Sequence, residues 1–243
     1  MFRETHARSI AKAVSWRVLG TMATSVLVFV FTKRLALSLA VGGLEFASKI
    51  GLFWLHERVW DRLRFGKQEI PPAVLWFTGL SGAGKSSIAD RVYEELRGRG
   101  FRVERLDGDS VRDIFPATGF TRPERDAHLR RIGYLAAKLE QNGVWVVASF
   151  VSPYEESRQF VRKLCRDFVE VHVATSLEEC ERRDVKGLYA KARRGEIANF
   201  TGIDDPYEPP ANPELRIDGG TVSVAEAGAS VLDLLERRRG KAK

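Results

Sequence analysis

Apolar positions follow two different patterns along this chain. Up to about residue 70 they form two long runs; after it they come as short bursts between polar, helix-period segments. The first run, Val18 to Phe31, reads VLGTMATSVLVFVF without a charge, and the second, Leu35 to Leu55, is interrupted by Glu45 and Lys49. A bilayer-spanning helix needs roughly 20 mostly apolar residues. The second run has that length, and the first reaches it when Ala11 to Trp16 are included and the long Arg17 side chain snorkels. Glu45 and Lys49 stand four apart and can pair on one helix face, while Gly42, Gly43, Ala47, Ser48 and Gly51 permit close helix contact. The pattern predicts a membrane hairpin through residues 11–60. A soluble two-helix hairpin is the alternative. A cleaved signal peptide is disfavoured: the first run ends in Lys33-Arg34 without a convincing small-residue cleavage site, and a second run follows.

The polar, proline-ended stretch GKQEIPP, Gly66 to Pro72, marks a boundary and suggests domains at 1–69 and 70–243. Beyond it, a buried strand is expected at Ala73 to Phe77, and further strands at Val103 to Leu106, Val144 to Phe150 and Phe168 to Val173. Helices are expected at Ser86 to Arg99, Glu124 to Gln141, Pro153 to Arg166 and Val224 to Arg239. Strands alternating with helices predict an α/β fold with a parallel sheet covered by helices on both faces.

Charge sharpens the first half of this picture. The chain carries a formal +7, and residues 1–70 hold eleven Lys and Arg against five Asp and Glu. The basic excess therefore sits with the apolar runs, which argues for a basic-flanked membrane segment and against a nucleic-acid-binding globular domain. Arg3, Arg8, Lys12 and Arg17 precede the first run, Arg58, Arg62, Arg64 and Lys67 follow the second, and only Lys33 and Arg34 lie between. The positive-inside rule then predicts a cytoplasmic-membrane protein with both ends, and the following domain, on the cytoplasmic side. A content of 44% hydrophobic residues excludes a disordered chain, and two cysteines exclude a disulfide scaffold.

Directly after the first expected strand stands Gly79-Leu80-Ser81-Gly82-Ala83-Gly84-Lys85-Ser86, followed by Ser87. This is the phosphate-loop pattern G-x-x-x-x-G-K-[ST], between a strand and a helix as the motif requires. Its glycines let successive N–H groups point at one anion, and the helix adds its positive end. Lys85 is expected at the β and γ phosphates of ATP, and the Ser86 hydroxyl on Mg²⁺. At the end of the second strand, LDGDSVR supplies Asp107 and Asp109 as candidate carboxylates for orienting or deprotonating an acceptor hydroxyl and holding Mg²⁺-bound water. Arg112 is the candidate grip on an anionic acceptor.

These segments, with GFTRPERDAHLRRIG, VSPYEESR, CERRDVKGLYAKARRGEIANFTGIDDPYE and NPEL, make residues 70–240 resemble the adenylylsulfate kinase family. The resemblance implies a P-loop kinase that phosphorylates the 3′-hydroxyl of adenylyl sulfate with ATP, in sulfate activation. It implies Phe120 and Phe200 on the two faces of the substrate adenine, and stacking of that kind contributes roughly 1–3 kcal/mol per base. It implies Arg112 and Arg125 on the phosphosulfate, His128 beside them where the family usually has Asn, and Lys186 near the phosphates. It places Arg183 and Thr201 at the ATP adenine and labels Ser152 a phosphorylated intermediate. The stretch Arg183 to Tyr207 resembles the family's lid, with Val185 where Pro is common. Residues 8–67 resemble a small two-helix membrane family of unknown function, through KAVSWRVLGT and EFASKIGLFWLHERVW. A homodimer and association with other sulfate-activation enzymes are compatible with these features. Two other readings compete: a P-loop kinase with a nucleoside or sugar-acid acceptor, and a nucleotide-binding scaffold without catalysis.

Overall fold

A computed structural model describes residues 71–108, 111, 119 and 121–241, and before them 2–4, 11–12, 14–16, 18–20, 23, 30, 48–49, 51–60, 63 and 67–69. The chain divides into two compact units, Met1–Ile70 and Pro71–Lys243.

In the first unit, β1 (Phe2–Glu4) pairs antiparallel with β2 (Lys67–Glu69), Phe2 opposite Glu69 and Glu4 opposite Lys67, so the two ends of the unit meet. Residues 51–60 are helical. Their buried face carries His56 and Trp60, while Phe53, Trp54, Leu55 and Val59 are exposed. His56 Nε2 lies 2.8 Å from Ser15 Oγ and accepts from Trp60 Nε1 at 3.0 Å. Trp16 packs edge-on against Phe53, and Lys12 faces Glu57 at 3.8 Å. Hydrogen-bonded polar groups thus lie between the helical segments, and large apolar side chains lie outside. Most of the two apolar runs, and the Glu45 half of the expected Glu45–Lys49 pair, fall outside the described residues. Among the described residues, no helix is long and apolar enough to cross a membrane, so the expected transmembrane hairpin has no described span behind it.

The second unit is a five-stranded parallel sheet of β3 (Val74–Thr78), β4 (Val103–Asp107), β5 (Trp145–Ser149), β6 (Phe168–Val173) and β7 (Leu215–Ile217), in the order β4-β5-β3-β6-β7. Its helices are α1 (Lys85–Gly98), α2 (Arg122–Gln141), α3 (Glu155–Leu164), α4 (Leu177–Arg183), α5 (Leu188–Arg193) and α6 (Val224–Lys241). Every residue of β3, β5 and β6 is buried, as expected for strands covered on both faces. Side chains alternate: Val74, Trp76, Val146 and Ala148 pack with Leu129, Ile132 and Ala136 of α2 and Val161 of α3. Helices α1 and α6 pack against each other, burying Ile88, Val92 and Leu96 with Ala227, Val231 and Leu235.

The departures from the expected elements have local causes. Helix α2 starts two residues early because Thr121 N donates to Glu124 Oε2 at 3.1 Å and Pro123 fits the first turn. Helix α3 starts two residues late because Pro153 and Tyr154 stay outside it, Tyr154 extended at its N-cap. The short α4 and α5 and the three-residue edge strand β7 were not expected from the pattern.

Strand β6 carries two buried ionisable groups. Glu170 meets Arg158 Nε at 2.9 Å and Arg162 Nη2 at 3.0 Å. His172 stacks on Tyr207, and burial, reinforced by Arg216 and Arg158, pushes it from 6.5 down to about 4. The folded imidazole thus stays neutral where the unfolded one binds a proton. Its stabilising contribution is full above pH 6.5 and is lost as pH falls towards 4, by about 3 kcal/mol in all. Urea midpoints measured across this window should fall on acidification, and His172→Gln should flatten that slope.

Candidate active site

The phosphate loop is built by close approach. Thr78 ends β3, and Gly79 follows with φ +151; a Cβ there would stand 2.5 Å from the Val173 carbonyl oxygen of neighbouring β6, so only glycine fits. Gly84, with φ +97, turns the chain into α1 as its N-cap. The first turn of α1 has no acidic residue, which leaves its positive end free of local neutralisation. Lys85 is buried, and its Nζ donates to the Leu80 carbonyl at 2.7 Å. The Tyr189 hydroxyl of α5 donates to the Ser81 carbonyl at 2.9 Å, tying α5 to the loop.

A cavity of about 490 Å³ opens beside this loop. Ser81, Gly82, Gly84, Lys85, Ser86 and Ser87 form one wall. Asp107, Arg125, His128, Ser152, Phe200, Thr201 and Lys186 line the rest, so most of the expected site residues come together. Gly79, Leu80 and Ala83 support the loop from outside the lining. Arg183 also stands off it, with Nε on Glu179 at 2.7 Å and Nη2 on the Gly219 carbonyl at 2.8 Å. Asp109, Arg112 and Phe120 lie outside the described residues.

The most developed polar cluster surrounds Asp107. Its Oδ2 accepts from Ser86 Oγ at 2.9 Å, Ser149 Oγ at 2.6 Å and Arg105 Nη2 at 3.1 Å. A hydroxyl beside a carboxylate, both oxygen donors, suits a hard divalent cation held mainly by phosphate oxygens. The sequence reading missed Ser149 and Arg105. Ser149 could have been found as the last residue of β5, since ligands in parallel sheets lie beyond the strands' carboxyl ends. Arg105 stands two residues before Asp107 on β4, but what fixes its side chain there is distant in sequence: Asp90, Val147 and Ser149.

Across the cavity, Arg125 is buried and reaches Thr201 Oγ1 at 2.8 Å and the Asn199 carbonyl at 2.5 Å. Thr201 is therefore placed beside Arg125. Phe200 lines the cavity with its ring edge-on to Tyr189, centroids 5.0 Å apart. His128 meets Phe150 edge-on at 6.2 Å, and Phe150 stacks on Trp76 at 5.2 Å. Ser152 is buried, with φ +39. Its hydroxyl accepts from Trp76 Nε1 at 3.1 Å and donates to Thr78 Oγ1 at 2.8 Å. Glu124 caps α2, its carboxylate lying against Gly119. Asp184 caps α5, accepting from Tyr189 N and Ala190 N, both at 3.0 Å; those bonds hold its carboxyl below the usual range. Within residues 183–207, α5 is thus a short capped helix followed by turns.

The adenylylsulphate kinase family model matches residues 71–218, and a family described as a predicted membrane protein matches residues 10–61. The chain is 50% identical over 165 residues to the adenylyl-sulfate kinase of Halothermothrix orenii, covering 68% of this chain and 89% of that protein. It is 55% identical over 143 residues to that of Picosynechococcus, covering 58% and 81%. Among solved structures, the Mycobacterium tuberculosis APS kinase in complex with AMPPNP and APS superposes with a TM-score of 0.66 at 45% identity, over 69% of this chain and 99% of that one. With the phosphate loop, the parallel sheet and the family match over residues 71–218 in agreement, the chain belongs to the adenylylsulfate kinase family.

Proposed function

We propose that this enzyme transfers the γ-phosphoryl group of ATP to the 3′-hydroxyl of adenylyl sulfate while anchored to a membrane by its first unit. The observation that carries the kinase half is one cavity, bounded on one side by the phosphate loop and on the other by Arg125 and Phe200.

In this reading the loop from Gly79 to Ser87 binds the ATP phosphates through backbone N–H groups, and Lys85 stabilises charge that develops on the γ-phosphoryl oxygens. Ser86 and Asp107 would hold Mg²⁺, which when bound neutralises phosphate charge. Asp107 already accepts from three donors, so it acts as a holder. Asp109 is left as the carboxylate that orients or deprotonates the 3′-hydroxyl. Arg125, with Arg112, pairs with the phosphosulfate, and Phe200, with Phe120, stacks on the adenine. His128 lies on the same wall as Arg125. Lys186 approaches the phosphates from the lid, and Arg183 borders the nucleotide side as that lid closes, while Thr201, expected at the ATP adenine, is read on the acceptor side with Arg125. Closure excludes water and limits ATP hydrolysis. Ser152 is read as a positioning residue, because its proton is directed at Thr78 Oγ1. The full chain with ATP and Mg²⁺ should release ADP only when adenylyl sulfate is added. Equal release without it, or with a sugar acid in its place, would defeat this reading.

The membrane half is supported by the family match over residues 10–61 and by the inside-out burial around His56, polar within and apolar without. The full chain should stay with membranes after carbonate extraction. A chain lacking residues 1–69 should be soluble and keep its turnover. Release of the full chain by carbonate, or loss of activity on truncation, would contradict a simple anchor. Homodimer formation and contact with other sulfate-activation enzymes belong to the same reading and are checked by sedimentation of the detergent-solubilised chain.

A further inference from the structure

The turn that carries Phe200 and Thr201 is held by bonds from three directions. Asp204 accepts from the backbone N–H of Asn199 at 2.6 Å and of Phe200 at 2.5 Å. Arg125 grips the Asn199 carbonyl and the Thr201 hydroxyl. The third tie comes from the segment after β5. The Tyr154 hydroxyl donates to both carboxylate oxygens of Asp205, at 3.0 and 2.8 Å. Asp205 belongs to the turn, since its carbonyl accepts from Gly202 N at 2.7 Å and it bridges to Thr201.

Tyr154 is itself firmly placed. It is 1% exposed, the Arg122 guanidinium lies 4.4 Å over its ring, and it directly follows Pro153 in the cavity wall. Burial and the Asp205 carboxylate push its phenol up to about 12, so it remains a donor at any physiological pH. A parallel tie runs nearby: Glu208 N donates to the Pro153 carbonyl at 2.8 Å, and Arg158 joins the Ser152 and Glu208 carbonyls at 2.7 Å each. The chain after the lid is therefore stapled to the segment after β5. Of these ties, the Tyr154–Asp205 bond is the one that reaches the Phe200 turn.

We propose that Tyr154 and Asp205 form a latch that holds the Phe200 turn against the acceptor end of the cavity, which makes Tyr154 a positioning residue for acceptor binding. The proposal rests on the reading of Phe200 as an acceptor contact. Charge-assisted hydrogen bonds are short and strong, and a contact displaced by a fraction of an ångström loses much of its effect. Asp205 is only half-buried, so removing the phenol oxygen leaves its carboxylate accessible to water and the fold intact.

The test uses the full chain. Tyr154→Phe should raise KM for adenylyl sulfate about fivefold to tenfold while KM for ATP changes less than about twofold. Asp205→Ala should match it, Asp205→Asn, which keeps an acceptor, should restore most of the loss, and Tyr154→Phe with Asp205→Ala should be no worse than either alone. An unchanged KM for adenylyl sulfate in Tyr154→Phe, equal rises in both KM values, or additive losses in the double variant would overturn the latch. Hydrogen exchange at the Phe200 and Gly202 amides separates the latch from the acceptor assignment. If the unaltered enzyme does not use adenylyl sulfate, that assignment fails; faster exchange in Tyr154→Phe still supports the latch, and unchanged exchange overturns it.

Discussion

Lys85→Ala is expected to lower kcat by at least about a thousandfold and to leave a folded protein. Removing one preorganised charge aimed at a developing oxyanion costs ~100–1,000-fold in enzymes generally, and a cation on the transferred phosphoryl group has the larger charge to stabilise. Lys85 is buried, its Nζ held by the Leu80 carbonyl of the loop itself, whereas Lys186, the other lysine lining the cavity, is exposed and stands outside the loop. Lys85→Arg should not rescue, because a planar guanidinium is larger and presents its donors as a fork, whereas the loop closes around a compact ammonium. Melting temperature checks folding, and single-turnover phosphoryl transfer checks the step. A variant with more than about a tenth of the normal rate would remove Lys85 from the chemistry.

Asp107→Asn should have the second-largest effect, a loss of about a hundredfold in kcat with a raised Mg²⁺ requirement. The substitution keeps the shape and one acceptor but removes the charge that suits a divalent cation. It also places a neutral amide against Arg105 Nη2, which now lies 3.1 Å from a carboxylate oxygen. Titrating Mg²⁺ at saturating ATP separates two causes. A shifted half-saturation, with rate partly restored at high Mg²⁺, is the outcome expected of a cation holder. A uniform loss at every Mg²⁺ concentration would point to disturbed packing around Arg105.

The two effects come from a part of the site that was legible in the sequence. A phosphate loop is a local object: its glycines, Lys85 and Ser86 are contiguous, and the backbone they require follows from the strand before and the helix after. Asp107 was legible for a related reason, since the end of a strand in a parallel sheet faces the ligand. The acceptor side was less legible. Arg125 and Phe200 were named through the family resemblance, but the bonds from Arg125 to Asn199 and Thr201 join residues 74 and 76 positions apart. Periodicity cannot show such a bond.

The same limit hid α4 and α5. Each is too short to show an apolar repeat and stands on its cap, Ser176 Oγ accepting from Glu179 N at 3.3 Å and Asp184 holding Tyr189 and Ala190. Strand β7 is three residues at the sheet edge, where Leu215 and Ile217 alone alternate. His172 shows a related effect within an expected strand. The sequence placed it in β6, but only the stacking on Tyr207 and the nearby Arg158 and Arg216 show why it stays neutral. For the N-terminal unit, the sequence supplied lengths and charge asymmetry. The described contacts around Ser15, His56 and Trp60 add that polar groups lie between the helical segments.

The most direct test is to locate the transferred phosphate. The full chain is incubated with γ-labelled ATP, Mg²⁺ and adenylyl sulfate, and the labelled product is analysed by mass spectrometry and phosphorus NMR. The account predicts one labelled product, adenylyl sulfate phosphorylated at the 3′-oxygen, formed in step with ADP. Label appearing as free phosphate, or on an acceptor without an adenine and a sulfate, would contradict it.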